Sequence, residues 1–239
     1  MHLEERLRNA CETGTMTDSE TREYYRWRAP EYEQIYYRDM PERRQEIDDE
    51  ADFLRGLASG REVLDLACGT GYWTQVVANS ASMVVGADYW PEMIRQARAK
   101  EYGKSPLFVQ ADIGRLPFVE GSFDLIVLGF WLSHQSKETL DRFLETVCRP
   151  LRRGGLIWTT DNNPPAEGSE MHSVTTDAHG NHFKRRWLDD GREFVILKNY
   201  FGRDELAELV GSRFEIERLV YKKYYWSLLL RPKQPGGKG

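Results

Sequence analysis

The stretch Arg61-Glu-Val-Leu-Asp-Leu-Ala-Cys-Gly-Thr-Gly-Tyr-Trp-Thr74 decides the fold. Val63, Leu64 and Leu66 make a short apolar run of the kind found in a strand covered on both faces, and its end carries one acid, Asp65, ahead of a loop with Gly69 and Gly71. Glycines there remove the side chains that would keep the backbone away from a ligand, so a glycine loop between strand and helix marks a nucleotide or nucleoside site. The neighbouring charge then selects the ligand. A pyrophosphate on the helix N-terminus would meet Asp65 at close range and be repelled. A phosphate-free nucleoside carrying positive charge suits the same place. A nicotinamide dinucleotide would also call for a third glycine at the helix start, where Thr74 stands.

Further runs repeat the pattern. Ser82-Met-Val-Val-Gly-Ala-Asp88 is apolar and ends in an acid, and Tyr89-Trp-Pro-Glu-Met-Ile94 opens a helix with Pro91 in its first turn, where proline is favoured. Asp88 lies about 20 residues beyond the glycine loop, the separation that sets a carboxylate against ribose hydroxyls in a βαβ nucleoside site. Its two oxygens can accept from both hydroxyls at once. Leu107-Phe-Val-Gln-Ala-Asp112-Ile113 ends a third short strand with an acid, and Phe123-Asp-Leu-Ile-Val-Leu128 is a fourth, continuous and apolar. One such acid alone is most often a solvated loop residue or a helix cap. Acids at three successive strand ends describe a site.

On these residues the chain resembles the class I S-adenosylmethionine-dependent methyltransferases, whose first motif joins an acidic residue, a small residue and two closely spaced glycines, here Asp65, Ala67, Gly69 and Gly71. The resemblance implies an α/β fold: a Rossmann-like, doubly wound, seven-stranded and mostly parallel sheet with helices on both faces. It implies a helical lid over residues 1–57 and a core over residues 58–239, with an inserted β-hairpin at about residues 163–200. It also implies a methyltransferase that takes its methyl group from S-adenosyl-L-methionine and releases S-adenosyl-L-homocysteine. Cofactor contacts are then expected at Tyr25, Asp65, Ala67, Gly69, Gly71, Trp73, Asp88, Tyr89, Met93, Asp112, Ile113 and Gly129, with Asp112 near the adenine amino group. The turn Arg149-Pro-Leu-Arg-Arg-Gly-Gly155 before a fifth strand, Leu156 to Asp161, is another feature of the family.

Open α/β sheets bind ligands beyond the carboxyl ends of their strands. The loop Gly129-Phe-Trp-Leu-Ser-His134 leaves the fourth strand beside the first, so it passes the donor's sulfonium. His134 is therefore the candidate catalytic base, since imidazole titrates near neutrality. The alternative is a histidine hydrogen-bonded within its own turn beside Ser133. Trp131 reads as a wall of the substrate pocket. Upstream, Ser19 to Tyr37 holds Tyr24, Tyr25, Tyr32, Tyr36 and Tyr37 around Pro30 and fits two short helices. An aromatic stripe is usually core, but phenols among charges also make a lid over a polar ligand. Tyr24 and Tyr36 are substrate candidates on that basis. Pro41 to about Leu57 reads as a third helix with Ile47, Ala51 and Leu54 toward the sheet, and Met16 is an alternative start.

Toward the other end, His182–Leu188 and Arg192–Lys198 flank Asp189-Asp190-Gly191, a hairpin signature. Strand alternation puts Arg186, Arg192 and Lys198 on one face, where they are substrate-side cations. This last third resembles bacterial small-molecule methyltransferases, including ones that O-methylate phosphonates, in which basic hairpin residues anchor the acceptor's anionic group. The resemblance thus favours O-methylation of a small polar or anionic molecule. N- or S-methylation, and an S-adenosylmethionine-binding protein without transferase activity, are the alternatives.

The 239 residues carry a formal net charge of −5 with a pI near 5.7, which argues against nucleic acid as partner. Asn163-Pro-Pro-Ala166 looks like the motif of base amino-methylases but follows the fifth strand and lacks the stacking aromatic, so it reads as a loop. His172, His179 and His182 lack zinc-site spacing and completing ligands, and no metal is expected. Cys11, Cys68 and Cys148 are too scattered for a disulfide framework, which points to a reducing cytoplasm. No apolar run approaches the ~18 residues of a membrane span. The expected partner is a small methyl acceptor, with the chain a monomer or homodimer.

Overall fold

The apolar runs pair as parallel strands. In chain order a computed structural model, which describes residues 17–35, 40–164 and 173–233, contains α1 (Thr17–Arg28), a 3-10 segment (Ala29–Ile35), α2 (Pro41–Leu57), β1 (Glu62–Leu66), α3 (Tyr72–Ala78), β2 (Met83–Asp88), α4 (Pro91–Arg98), β3 (Leu107–Gln110) and β4 (Phe123–Gly129). A 3-10 turn (Leu132–His134), α5 (Leu140–Cys148), β5 (Leu151–Asn162), β6 (Ser173–Thr176), β7 (His182–Trp187), β8 (Glu193–Leu197), α6 (Arg203–Gly211), β9 (Phe214–Tyr221) and β10 (Tyr225–Pro232) follow. The main sheet has the order β3-β2-β1-β4-β5-β10-β9, with β10 antiparallel to both neighbours. The chain runs outward from β1 through β2 and β3, then returns to lay β4 on the other side of β1. That reversal opens a crevice at the carboxyl ends of β1 and β4.

Both faces of the sheet are covered, which is why its central strands β1 and β4 carry apolar side chains in succession instead of alternating with polar ones. On one side α5 and α6 bring Leu140, Phe143, Val147 and Leu206 against Leu64, Ile126 and Leu128. On the other, α2 and α3 bring Ile47, Leu54, Trp73 and Val77 against Val63, Leu125 and Val127. Each such side chain contributes roughly 1.5–3 kcal/mol on full burial. The sequence bounds of α2 hold, and Pro41 sits in its first turn, where its missing N–H costs nothing.

Two features differ from the sequence reading. β5 begins at Leu151, because Leu151 pairs with Phe123 before the ladder slips and resumes at Leu125 and Leu156. Gly154 (φ +80°) and Gly155 thus lie at an irregularity within the strand instead of in a turn before it. The hairpin β7–β8 also gains a third strand, β6, making a separate antiparallel sheet. Ser-Val-Thr-Thr is too short to signal a strand within a polar stretch. Tyr36, Tyr37, Cys11, His172, Met16 and the second half of the Asn163-Pro-Pro-Ala166 segment, Pro165 and Ala166, lie outside the described residues.

Candidate functional site

The crevice is built by backbone tied to Asp88. Its Oδ2 accepts from Gly69 N and its Oδ1 from Trp90 N, both at 2.9 Å, so one carboxylate fixes the loop after β1 to the loop after β2. The spare lone pairs of both oxygens remain for a diol. Ala67 (φ +51°) and Phe130 (φ +58°) are left-handed at the ends of neighbouring β1 and β4. Holding non-glycine residues there costs roughly 1–2 kcal/mol each, and such strain clusters at ligand sites.

Together these loops bound a cleft of about 780 Å³, counting the part open to solvent, within the range of about 300–1,000 Å³ usual for small-molecule sites. Of the residues expected at the cofactor, Ala67, Gly69, Asp88, Tyr89, Met93, Asp112, Ile113 and Gly129 line it. Trp131 and His134 line the same space, and Thr21, Arg22, Tyr25 and Tyr32 cover it from the N-terminal segment. The Arg22 guanidinium lies 4.5 Å from the centre of the Tyr89 ring and 3.4 Å from the Asp112 carboxylate, so α1 clamps the cleft at the Asp112 end.

Three expected contacts sit behind the wall. Asp65 is 1 % exposed and accepts from Thr74 Oγ1 at 2.6 Å; the residue standing where a dinucleotide site would have its third glycine instead satisfies this acid. Gly71 (φ +85°) serves packing, because a Cβ there would lie 2.7 Å from the Tyr102 hydroxyl and 3.0 Å from Ala97 Cβ. Trp73 is buried under Gly129 as part of the floor, edge-on to Trp158 at 4.8 Å. A Cβ on Gly129 would lie 2.2 Å from Trp73 Nε1. Gly129→Ala is therefore expected to destabilise the fold by about 1–3 kcal/mol, read as a lower midpoint in urea unfolding with unchanged slope.

Burial pushes the Asp65 carboxyl up to about 7, with the Asp88 charge adding to it, and burial likewise pushes Asp88 up to about 6. No ion pair to either acid occurs among the described residues. The cradle is thus desolvated, anionic and short of a cation. A sulfonium and an ammonium fit it; a pyrophosphate would worsen it.

His134 is 6 % exposed and held at both ring nitrogens, Nδ1 at 2.7 Å from Leu197 O and Nε2 at 2.7 Å from the Tyr25 hydroxyl. Burial above all, with help from the Lys198 charge, brings its pKa down to about 3, so the ring is neutral across the physiological range. A neutral ring can accept a proton.

The substrate-side candidates divide. Tyr24 is core: 1 % exposed, it packs with Leu188 and Ile196 and accepts a hydrogen bond from Arg28. Arg192 is at the hairpin tip, paired with Asp190 at 2.7 Å and stacked on Trp27, away from the cleft. Lys198 is buried and donates to Asp161 Oδ1 at 2.8 Å and Ser133 Oγ at 2.7 Å, so its charge is already matched. Arg186 is half-buried and does not line the cleft, though its charge acts on Tyr25, His134 and Tyr200. Beside it stands Lys184, 2 % exposed and 4.8 Å from the centre of the Tyr200 ring. Lys184-Arg185-Arg186 is the densest basic cluster of the sequence, open to a substrate role or a solvated hairpin edge, and the strand divides it: positions 184 and 186 share a face, whereas Arg185 points the other way, to Glu193 at 2.8 Å.

Residues 63–155 match the model of a methyltransferase domain. The chain is 34% identical over 118 residues to a demethylmenaquinone methyltransferase of Lactococcus lactis, covering 46% of this chain and 45% of that protein. It is 31% identical over 134 residues to the ubiquinone/menaquinone biosynthesis C-methyltransferase UbiE of Pseudomonas paraeruginosa, covering 53% and 50%. The chain spans about half the length of the curated relatives it matches. Solved structures match over more of it: a DhpI-SAH complex at 27% identity and TM-score 0.71, covering 89% of this chain and 95% of that one. A DhpI-SAM-HEP complex matches at 26% identity and TM-score 0.73, covering 91% and 99%. By this domain match, sheet order and structural likeness, the chain is similar to the class I S-adenosylmethionine-dependent methyltransferases.

Proposed function

We propose that the chain transfers a methyl group from S-adenosylmethionine to an oxygen of a small anionic molecule. The observation that carries this reading is the charge around one cleft: a buried pair of acids at the β1 and β2 ends, and beyond His134 the charge of Arg186, with the buried Lys184 on the same strand face. When bound, the cofactor supplies a methyl group already activated on sulfonium. The chain's task is then to align donor and acceptor and to exclude water. Asp88 would hold the ribose, Tyr89 and Ile113 the adenine, Gly69 the close backbone approach, and α1 the cover. The curated relatives named for quinone methylation match only about half their length. The two cations on that strand face, Lys184 buried and Arg186 half-buried, suit an anion better than a quinone ring.

The acids give the binding a pH dependence. A bound sulfonium favours their charged forms, so cofactor binding releases protons. Affinity for S-adenosylmethionine then rises with pH through about 6 and about 7 and flattens above. S-adenosylhomocysteine lacks the sulfonium charge and rises less. Calorimetry at about pH 5 and about pH 8 checks this; a preference for the sulfonium form that does not change with pH would contradict it. On the acceptor side, burial and then the Arg186 charge bring Lys184 down to about 7. An anion favours the charged amine, so acceptor affinity is expected to fall above that pH.

The reading is tested by incubating the protein with S-adenosylmethionine and a set of small hydroxy-, carboxy- and phospho-compounds, with mass spectrometry of the products. A methylated oxygen product, lost in Lys184→Met with Arg186→Met, supports it. Turnover confined to uncharged quinols would replace it with carbon methylation.

A further inference from the structure

The hydrogen-bond chain running from Leu197 to Tyr25 has a fixed direction. Leu197 O is a carbonyl oxygen and only accepts, so His134 Nδ1, 2.7 Å away, carries the ring proton. The same peptide is pinned on its other side, where Leu197 N donates to Thr21 Oγ1 of α1 at 3.3 Å. With the ring neutral, Nε2 has only a lone pair, and the Tyr25 hydroxyl at 2.7 Å must donate to it. Burial raises the Tyr25 phenol well above its usual range, so it keeps that proton. Both residues line the cleft, and Tyr25 Oη is left with lone pairs to offer there. A lone pair attracts a donor and repels an oxyanion. For Tyr25 to turn its proton toward an oxyanion, the buried Nε2 would have to lose its partner.

We infer that the methylated atom is the oxygen of a hydroxyl group on a small anionic molecule, and that Tyr25 is the catalytic residue touching that hydroxyl. This rests on the methyltransferase reading above. As the new C–O bond forms and the S–C bond breaks, the hydroxyl proton passes to Tyr25 Oη and the proton of Tyr25 passes to His134 Nε2. The sulfonium becomes a neutral thioether, the hydroxyl a methyl ether, and the ring an imidazolium. Asp161 favours that charge; Lys198 and Arg186 oppose it. The proton returns to water when the products leave. His134 acts through Tyr25, as a positioning residue and proton store.

Two measurements, the first made with and without S-adenosylhomocysteine, decide the matter. Nitrogen-15 NMR of the histidine rings at neutral pH should give His134 as the Nδ1–H tautomer, with an Nε2 resonance that moves in Tyr25→Phe. An Nε2–H tautomer, an imidazolium, or a resonance unmoved by Tyr25→Phe overturns the chain of donors. Second, products from small hydroxycarboxylic acids and hydroxyalkyl phosphates should survive mild alkali as methyl ethers, with kcat reduced about 100-fold or more in Tyr25→Phe. Methyl esters cleaved by alkali, or a Tyr25→Phe variant as fast as the parent, overturn the inference while leaving the methyltransferase reading intact. Failure to bind S-adenosylhomocysteine at all sinks that reading instead, and the NMR result still judges the hydrogen-bond chain.

Discussion

Asp88→Asn is expected to weaken binding of S-adenosylhomocysteine by about 100-fold or more with the fold retained. The carboxylate does two jobs with the same atoms: its oxygens accept from Gly69 N and Trp90 N at 2.9 Å, and they face the cleft where the ribose would lie. Asparagine keeps one acceptor. Its amide group would set an N–H against an N–H of one loop or the other, so either the glycine loop or the turn into α4 must shift. Two hydrogen bonds to a charged group contribute roughly 1.5–3 kcal/mol each, and 1.4 kcal/mol is a factor of ten. Calorimetry alongside circular dichroism separates lost binding from lost structure. Binding within a factor of about three of the parent would show that the ribose is held elsewhere.

Lys198→Met is expected to lower stability by about 3–5 kcal/mol, or roughly 6–20 °C in melting temperature. Lys198 and Asp161 are 5 % and 0 % exposed, and the pair joins the inserted sheet to the end of β5. Burial alone would push the Asp161 carboxyl up; the Lys198 charge, with His134 and the hydrogen bonds, holds it below the usual range and therefore ionised. Asp161 Oδ2 also accepts from Ser133 N at 3.0 Å, within the turn that carries His134. Removing the lysine strands a buried charge beside the site. Adding Asp161→Asn removes that charge, so the double variant should melt above the single one. A single variant within about 1 kcal/mol of the parent would mean that water reaches the pair.

The sheet was legible because buried parallel strands have no alternation to confuse: Val63, Leu64 and Ile126 are apolar for the same reason that they are central. The acids at the strand ends were legible as a group, but their individual contacts were not. Asp65 and Asp88 both stand near the carboxyl ends of their strands, yet Thr74 takes one and leaves the other to the cleft. A hydrogen bond across nine residues leaves no periodic trace in a sequence. Lys198 was misread for a similar reason: strand parity gives the face of a side chain but not its partner, and Asp161 comes from another sheet. Tyr25 and Tyr24, adjacent in sequence, separated cleanly because neighbours on a helix point about 100° apart. One joined the core and the other reached His134.

The central claim is that paired buried acids around the glycine loop hold a positively charged, phosphate-free nucleoside. Titration calorimetry of the purified chain with S-adenosylmethionine at neutral pH tests it most directly. One equivalent should bind, with NAD giving no heat under the same conditions. Saturable binding of NAD, with no heat from S-adenosylmethionine or S-adenosylhomocysteine, would contradict it.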